Sequence, residues 1–193
     1  MLRVAGQYPS FIIPIPRDKN STPRQDGDKE GDGRAAYEFY FLQWGFHGSP
    51  PPLPSAIPSG SISGNSESAA KIDLPQTTTV LFTPLEEYKL RKTFATPHLV
   101  LTHYAEFALT HGIVLLRGEL TPTTAKDDPT TRGEFLLDQQ EAQVMAVGVQ
   151  KFYLWGQGGE EGENEREGLL KVFHEKPEDF KWEELLKYAD TMQ

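Results

Sequence analysis

Apolar and polar residues alternate over short stretches in the first two thirds of the chain. Five stretches have the length and composition of a β-strand: Ser10–Pro16, Tyr37–Phe46, Thr77–Phe82, His98–Tyr104 and Gly112–Leu120. They are rich in β-branched and aromatic residues, and polar segments containing Gly and Pro separate them, which is typical of strands joined by loops. The pattern therefore predicts five strands in succession.

Towards the C-terminus the apolar residues recur every three or four positions, as expected of helices that bury one side. Asp138 and Glu141 have the spacing of a capping box, which predicts that a helix begins after Asp138. Its predicted buried stripe consists of Ala142, Met145, Val149 and Phe152. A second helix is predicted over Glu165–His174, and a third after a cap at Asp179.

One short helix is predicted between the third and fourth strands. Thr83 is of the residue type that favours an N-cap, Pro84 suits the first helical position, and Glu86 would complete a capping box. Glu87 and Arg91 lie four residues apart on one face of this helix and are expected to pair.

Strands in succession, followed by helices at one end, indicate an α+β fold with a mainly antiparallel sheet of about five strands. The 193 residues suit a single domain spanning 1–193. Pro14 and Pro16 share the same parity in the first strand, which places that strand at an edge of the sheet. Four polar stretches are predicted to be flexible insertions: 18–34, 48–76, 121–132 and 156–164.

The amino-acid composition argues against several classes of function. The formal net charge of -9 argues against nucleic acid or an anionic membrane as the main partner. The chain has no cysteine, which excludes disulfides, thiolate zinc sites and cysteine nucleophiles. No apolar run approaches the roughly 18 residues needed to span a bilayer, so no membrane insertion is expected.

Motifs for catalysis are missing from the sequence, which has no P-loop, no nucleophile elbow and no H-E-x-x-H zinc motif. His98 and His103 are five residues apart in a predicted strand, so they should point to opposite faces and not share a metal ion. We therefore predict no catalytic residue, no metal and no cofactor. The alternative function is a small hydrolase or transferase with a carboxylate–histidine pocket formed by Glu87, His103, Arg117 and Glu119.

Arg117 and Glu119 share a face of the last strand with apolar residues. Either this face emerges into solvent near the end of the strand, or Arg117 is held by an acidic residue such as Glu87 or Glu106. In the second case Arg117 would help to shape a recognition surface.

Six blocks of sequence, taken in order, carry a family resemblance. They are PSFIIPIPR (Pro9–Arg17), YEFYFLQW (Tyr37–Trp44), VLFTPLEEYKLR (Val80–Arg91), PHLVLTHY with HGIVLLRGEL (Pro97–Leu120), LDQQEAQVMAVGVQKFY (Leu137–Tyr153) and KPEDFKWEELL (Lys176–Leu186). Together they resemble the ATP11-type family of mitochondrial F1-ATPase assembly chaperones, which bind the F1 β subunit. The resemblance covers most of the chain apart from its polar insertions.

The resemblance implies a molecular chaperone of the mitochondrial matrix that does not hydrolyse ATP. It implies transient capture of the unassembled F1 β subunit, protection of that subunit from aggregation, and its transfer to the α subunit during assembly. It also implies a targeting sequence and a helical region ahead of Pro9, which we expect this chain to lack. The protein is expected to be a monomer. A third hypothesis is a structural subunit that stays bound in its complex.

A chaperone of this kind needs an exposed apolar patch with a polar rim. On the first three strands the candidate contacts are Phe11, Ile13, Tyr40, Leu42, Trp44, Phe46 and Phe82. The short helix adds Glu87, Tyr88 and Arg91, and the last strand adds Arg117. For the strand residues the alternative is packing in the core, because a two-layer domain buries such side chains in any case.

Overall fold

The computed structural model describes residues 1–17, 36–48, 76–122, 135–154 and 161–189. Its strands are β1 (Ser10–Arg17), β2 (Ala36–Phe46), β3 (Thr78–Pro84), β4 (Leu99–Tyr104) and β5 (Leu115–Leu120). Its α-helices are α1 (Leu2–Gln7), α2 (Leu85–Arg91), α3 (Ala108–His111), α4 (Gln139–Tyr153), α5 (Glu161–Glu175) and α6 (Trp182–Ala189). The predicted insertions at 18–34, 48–76 and 121–132 lie almost entirely outside the described residues.

The five strands form one sheet in the order β1-β2-β3-β4-β5. Each neighbouring pair is antiparallel, and the register is continuous across the sheet. Helices α4, α5 and α6 follow the last strand. The predicted α+β fold is therefore confirmed.

Strand β1 lies at one edge of the sheet, as its prolines predict. The backbone N–H of Trp44 donates to the carbonyl oxygen of Pro9 at 2.8 Å, in register with the β1–β2 pairing. Because the direction of backbone groups alternates along an antiparallel strand, Pro14 and Pro16 face away from β2. The free edge of β1 thus lacks the donors of these two residues, which discourages pairing with another strand.

One face of the sheet packs against α4 and forms the core. The ring of Phe11 lies 4.9 Å from that of Phe152, and the ring of Trp44 lies 5.3 Å from that of Tyr153. The hydroxyl of Tyr153 donates to the carbonyl oxygen of Tyr8 at 3.0 Å, which ties α4 to the turn after α1. The buried strand residues on this face are Phe11, Ile13, Ile15, Tyr40, Leu42, Trp44, Val80, Phe82, Leu99 and Leu101.

The predicted capping box of α4 is present. The backbone N–H of Glu141 donates to Asp138 Oδ1 at 2.7 Å, and the N–H of Asp138 donates to Glu141 Oε2 at 2.8 Å. Helix α5 begins at Glu161 rather than at the predicted Glu165, so the predicted loop 156–164 is helical at its end. None of these helices is long and apolar enough to cross a bilayer, within the part of the chain described.

Two predicted caps are wrong, and one helix was not predicted. Thr83 is buried in β3 opposite Phe41, so the strand continues through Pro84 and α2 begins without a side-chain cap. Asp179 ends a 3-10 turn, and α6 begins only at Trp182. Helix α1 was not predicted because its six residues show too little periodicity.

Candidate functional site

Most strand residues expected to contact a partner lie in the core. Phe11, Ile13, Tyr40, Leu42 and Phe82 are fully buried, and Trp44 is nearly so. The expectation that this face of β2 is exposed is therefore wrong, because α4 covers it. Phe46, at the end of β2, is the exception, with 42% of its surface exposed.

The opposite face of the sheet carries an apolar groove at the β1–β2 edge. It has a volume of about 530 Å³, within the range of ligand sites in proteins. Its lining residues are Ile12, Phe39, Phe41, Leu85, Tyr88, Lys89, Lys92, Phe173, Phe180 and Trp182. We call this feature the apolar groove.

Aromatic rings form the floor and walls of the apolar groove. Tyr88 of α2 lies 4.3 Å from Phe41 of β2, and Trp182 of α6 meets Phe39 edge-on at 5.8 Å. Phe173 packs edge-on against Phe180 at 5.1 Å and closes the β1 side. Rings held by such contacts present a rigid apolar surface.

Trp182 and two lysines are the most exposed residues of the apolar groove. Trp182 leaves 49% of its surface exposed, and Lys89 and Lys92 are exposed on the α2 side. Lys92 has φ 54° and ψ -125°, and it is the one non-glycine residue with positive φ among those described. A non-glycine residue in this region is strained, and such strain concentrates at functional sites.

A network of charged groups adjoins the apolar groove on the far side of α2. The predicted pair of Glu87 and Arg91 is present, with Oε1 and Nη1 3.3 Å apart. The other Glu87 oxygen lies 3.9 Å from Nε2 of His98, and Glu87 also accepts the backbone N–H of Thr96 at 3.2 Å. Burial lowers the pKa of His98, although Glu38 and Glu87 oppose that shift. Glu87 thus ties α2 to the loop that follows it, and Arg91 pairs with Glu87.

Arg17 joins three elements at the same end of the sheet. Its Nε donates to Glu38 Oε2 at 2.8 Å, and its guanidinium also pairs with Glu141 of α4. The hydroxyl of Tyr40 accepts from Arg17 at 3.0 Å and donates to Glu38 at 3.1 Å. Burial, together with the charge of Glu38, raises the pKa of Tyr40, so this hydroxyl stays protonated. The network is structural, because each of its groups is engaged within the fold.

The residues of the enzymatic alternative do not converge. In the β4–β5 register Arg117 lies opposite Thr102 and Leu116 lies opposite His103, so Arg117 and His103 point to opposite faces. Glu87 contacts His98 instead of His103. Arg117 pairs with Glu119 at 2.9 Å and not with Glu87 or Glu106. Among the described residues, no group of three or more His, Asp or Glu side chains is placed to hold a metal ion.

His103 is expected to make the stability of the fold depend on pH. Its ring stacks on Trp44 at 5.3 Å, and burial lowers its pKa below the ordinary 6.5, partly offset by a backbone hydrogen bond with Thr78. Below pH 6.5 the unfolded chain therefore binds a proton that the folded chain resists. We expect the free energy of unfolding to fall as the pH drops below 6.5, with no such loss above it.

Urea unfolding of the wild type and of His103→Leu, measured between about pH 7 and pH 5, checks this expectation. Leucine fills a similar volume and does not titrate, so the pH dependence should become shallower. An unchanged slope in His103→Leu would contradict the role given to His103.

Tyr88 is a candidate from the sequence that lies in the apolar groove, whereas most of the residues that line the groove were not predicted. Phe39 and Phe41 alternate with the buried residues of β2, and the pattern alone marks both faces as apolar. Trp182 follows a Pro-containing turn, and its spacing from Leu185 and Leu186 is typical of a residue on the buried side of a helix. The one available signal was a large aromatic residue beside two glutamates in the first turn of this helix.

Comparison with known proteins gives two matches. The family model described as ATP11 protein matches residues 1–186. Protein atp11, mitochondrial, of Schizosaccharomyces pombe is 28% identical over 193 residues, which is 100% of this chain and 48% of that relative. The chain thus spans about half the length of this curated relative.

Proposed function

This chain belongs to the ATP11 protein family, and from that premise we propose that it is an F1-ATPase assembly chaperone that captures the unassembled β subunit. Capture prevents aggregation of the β subunit until the α subunit replaces the chaperone. The process needs no ATP hydrolysis by the chaperone. The observation that carries the proposal is an exposed, aromatic-lined groove on a member of this family.

The chemistry of the apolar groove suits capture of a protein segment. Trp and Tyr side chains dominate the binding energy of many interfaces, and both Trp182 and Tyr88 line the groove. Lys89 and Lys92 favour a segment that carries carboxylates beside its apolar side chains. We therefore assign the β-subunit contact to the apolar groove, with Tyr88 as the candidate from the sequence that lies within it.

Release follows from the relative size of the interfaces. The apolar groove has a volume of about 530 Å³, which accommodates a few side chains of a client. Permanent subunit interfaces involve many more side chains, because they bury roughly 2,000 Å² or more of surface. The α subunit can thus displace the chaperone through its larger contact. Glu87, which binds the loop after α2 and pairs with Arg91, does not line the groove.

The place of action is proposed to be the mitochondrial matrix, where F1 assembles. The relative from Schizosaccharomyces pombe has the word mitochondrial in its name. Fractionation of cells that express the tagged full-length protein would test this assignment.

Light scattering of aggregating F1 subunits tests the proposed function. The protein, added at equal molarity without nucleotide, should suppress aggregation of the β subunit and leave aggregation of the α subunit unchanged. Equal suppression of both subunits would indicate nonspecific apolar binding and would contradict the proposal. Failure to suppress either one would also contradict it for this chain.

A further inference from the structure

Strand β5 lies at the edge of the sheet opposite to β1 and is exposed to solvent along most of its length. Every residue of β5 is exposed except the last, Leu120, which is half-buried. The apolar run Ile113–Leu116 leaves between 41% and 50% of each side chain exposed. Native sheets rarely leave an edge strand with this composition open, because its backbone groups attract another strand.

Within the part of the chain that the structure describes, no strand pairs with the outer edge of β5, whose outward backbone groups recur at regular positions. Thr121 donates its N–H to the carbonyl oxygen of His98 at 3.0 Å, in register with the β4–β5 pairing. Odd-numbered residues of β5 therefore face β4, and Leu116, Gly118 and Leu120 direct their N–H and C=O groups outward. Unlike β1, which exposes Pro14 and Pro16, β5 contains no proline.

The sequence of β5 is complementary to itself. In an antiparallel pair of two β5 strands centred on Gly118, Arg117 of each copy lies opposite Glu119 of the other. Gly118 then faces Gly118 in a hydrogen-bonded pair, and Leu116 faces Leu120. This arrangement uses the outward backbone groups and leaves each charged pair in a closely spaced position.

We propose that the protein forms a two-fold symmetric dimer through β5, in which two five-stranded sheets join into one. In the monomer, Arg117 pairs with Glu119 of the same chain at 2.9 Å. In the dimer, Arg117 of each copy pairs instead with Glu119 of the other copy. The pairing covers Leu116–Leu120, in which the even-numbered residues direct their backbone groups outward.

The proposal departs from the monomer expected from the sequence and does not depend on the identity of the client. The apolar groove lies at the β1–β2 edge, at the far end of the sheet, so the dimer leaves it open. An edge closed in this way cannot template aggregation.

Charge reversal tests the dimer. Sedimentation of the whole chain should show a dimer for the wild type. Arg117→Glu or Glu119→Arg should each raise the dissociation constant of the dimer by about tenfold or more, because each substitution places two pairs of like charges opposite each other. An equimolar mixture of the two variants, and the double variant Arg117→Glu/Glu119→Arg, should both restore dimers. Both side chains are largely exposed, so the variants should remain folded.

A thiol at the symmetry axis gives a second measurement. The chain has no cysteine, so Gly118→Cys carries a single thiol. A hydrogen-bonded pair places the two Cα atoms about 5.5 Å apart, within disulfide range, so oxidation should give a covalent dimer. Leu109→Cys, which places a thiol at an exposed position outside β5, is the control and should give no covalent dimer. A monomeric wild type, or a dimer insensitive to charge reversal and to Gly118→Cys oxidation, would overturn the proposal.

Discussion

Phe11→Ala is expected to destabilise the fold by about 3–5 kcal/mol. The side chain is fully buried, and its ring lies 4.9 Å from Phe152 and 5.3 Å from Phe173. It joins β1 to both α4 and α5, so truncation opens a cavity where three elements meet. Urea unfolding measures the change, provided that the dependence on denaturant is the same in both proteins.

Phe46→Ala is the control for this substitution. Phe46 lies on the same face of the sheet but is 42% exposed, and its nearest ring contact is Trp44 at 6.4 Å. A loss of about 1 kcal/mol or less is expected. Equal losses in the two variants would contradict the assignment of Phe11 to the core.

Trp182→Ala is expected to weaken binding of the β subunit by roughly 30-fold, which corresponds to about 2 kcal/mol for a tryptophan at the centre of an interface. Trp182 is half exposed in the apolar groove and contacts Phe39 at 5.8 Å. Because much of its surface is already in water, the free energy of unfolding should change by about 1 kcal/mol or less. Titration of the immobilised β subunit with each variant measures the affinity.

Phe107→Ala is the matched control for binding. Phe107 has a similar exposure of 46% but lies in the connection between β4 and β5, away from the apolar groove. Its removal should leave the affinity for the β subunit unchanged. If Phe107→Ala weakens binding as strongly as Trp182→Ala does, the contact involves a different surface.

The sheet could be predicted because strand signals are local. Alternation in Ser10–Pro16 and the two prolines were enough to place β1 at an edge. The face of β2 that binds α4 could not be predicted, because Phe39 and Phe41 on one side are as apolar as Tyr40 and Leu42 on the other. Only the packing of α4, which is distant in sequence, decides which set is buried.

The two helix caps predicted at Asp138 and Thr83 show the same limit of local sequence signals. Asp138 lies outside the sheet and is free to cap α4, so its capping box forms as predicted. Thr83 has the same kind of spacing, but its backbone pairs with Phe41 and its side chain is buried. Pairing in the sheet thus overrides a local signal that would otherwise have been sufficient.

The apolar groove was beyond prediction because its residues come from four separated regions. Ile12, Phe41, Tyr88 and Trp182 are brought together by the fold of the whole chain. Any one of them, taken alone, has the pattern of a core residue. The strained backbone of Lys92 likewise has no counterpart in sequence, since lysine ordinarily avoids positive φ.

Site-specific photo-cross-linking shows whether the apolar groove contacts the F1 β subunit. A photoreactive phenylalanine analogue is placed at Trp182 in one variant and at Phe107 in another, and each is mixed with the unassembled F1 β subunit and illuminated. We expect a covalent product with the β subunit from position 182, its loss when assembled F1 replaces the free subunit, and little product from position 107. Efficient cross-linking from position 107 with none from position 182 would contradict the claim that the apolar groove captures the β subunit.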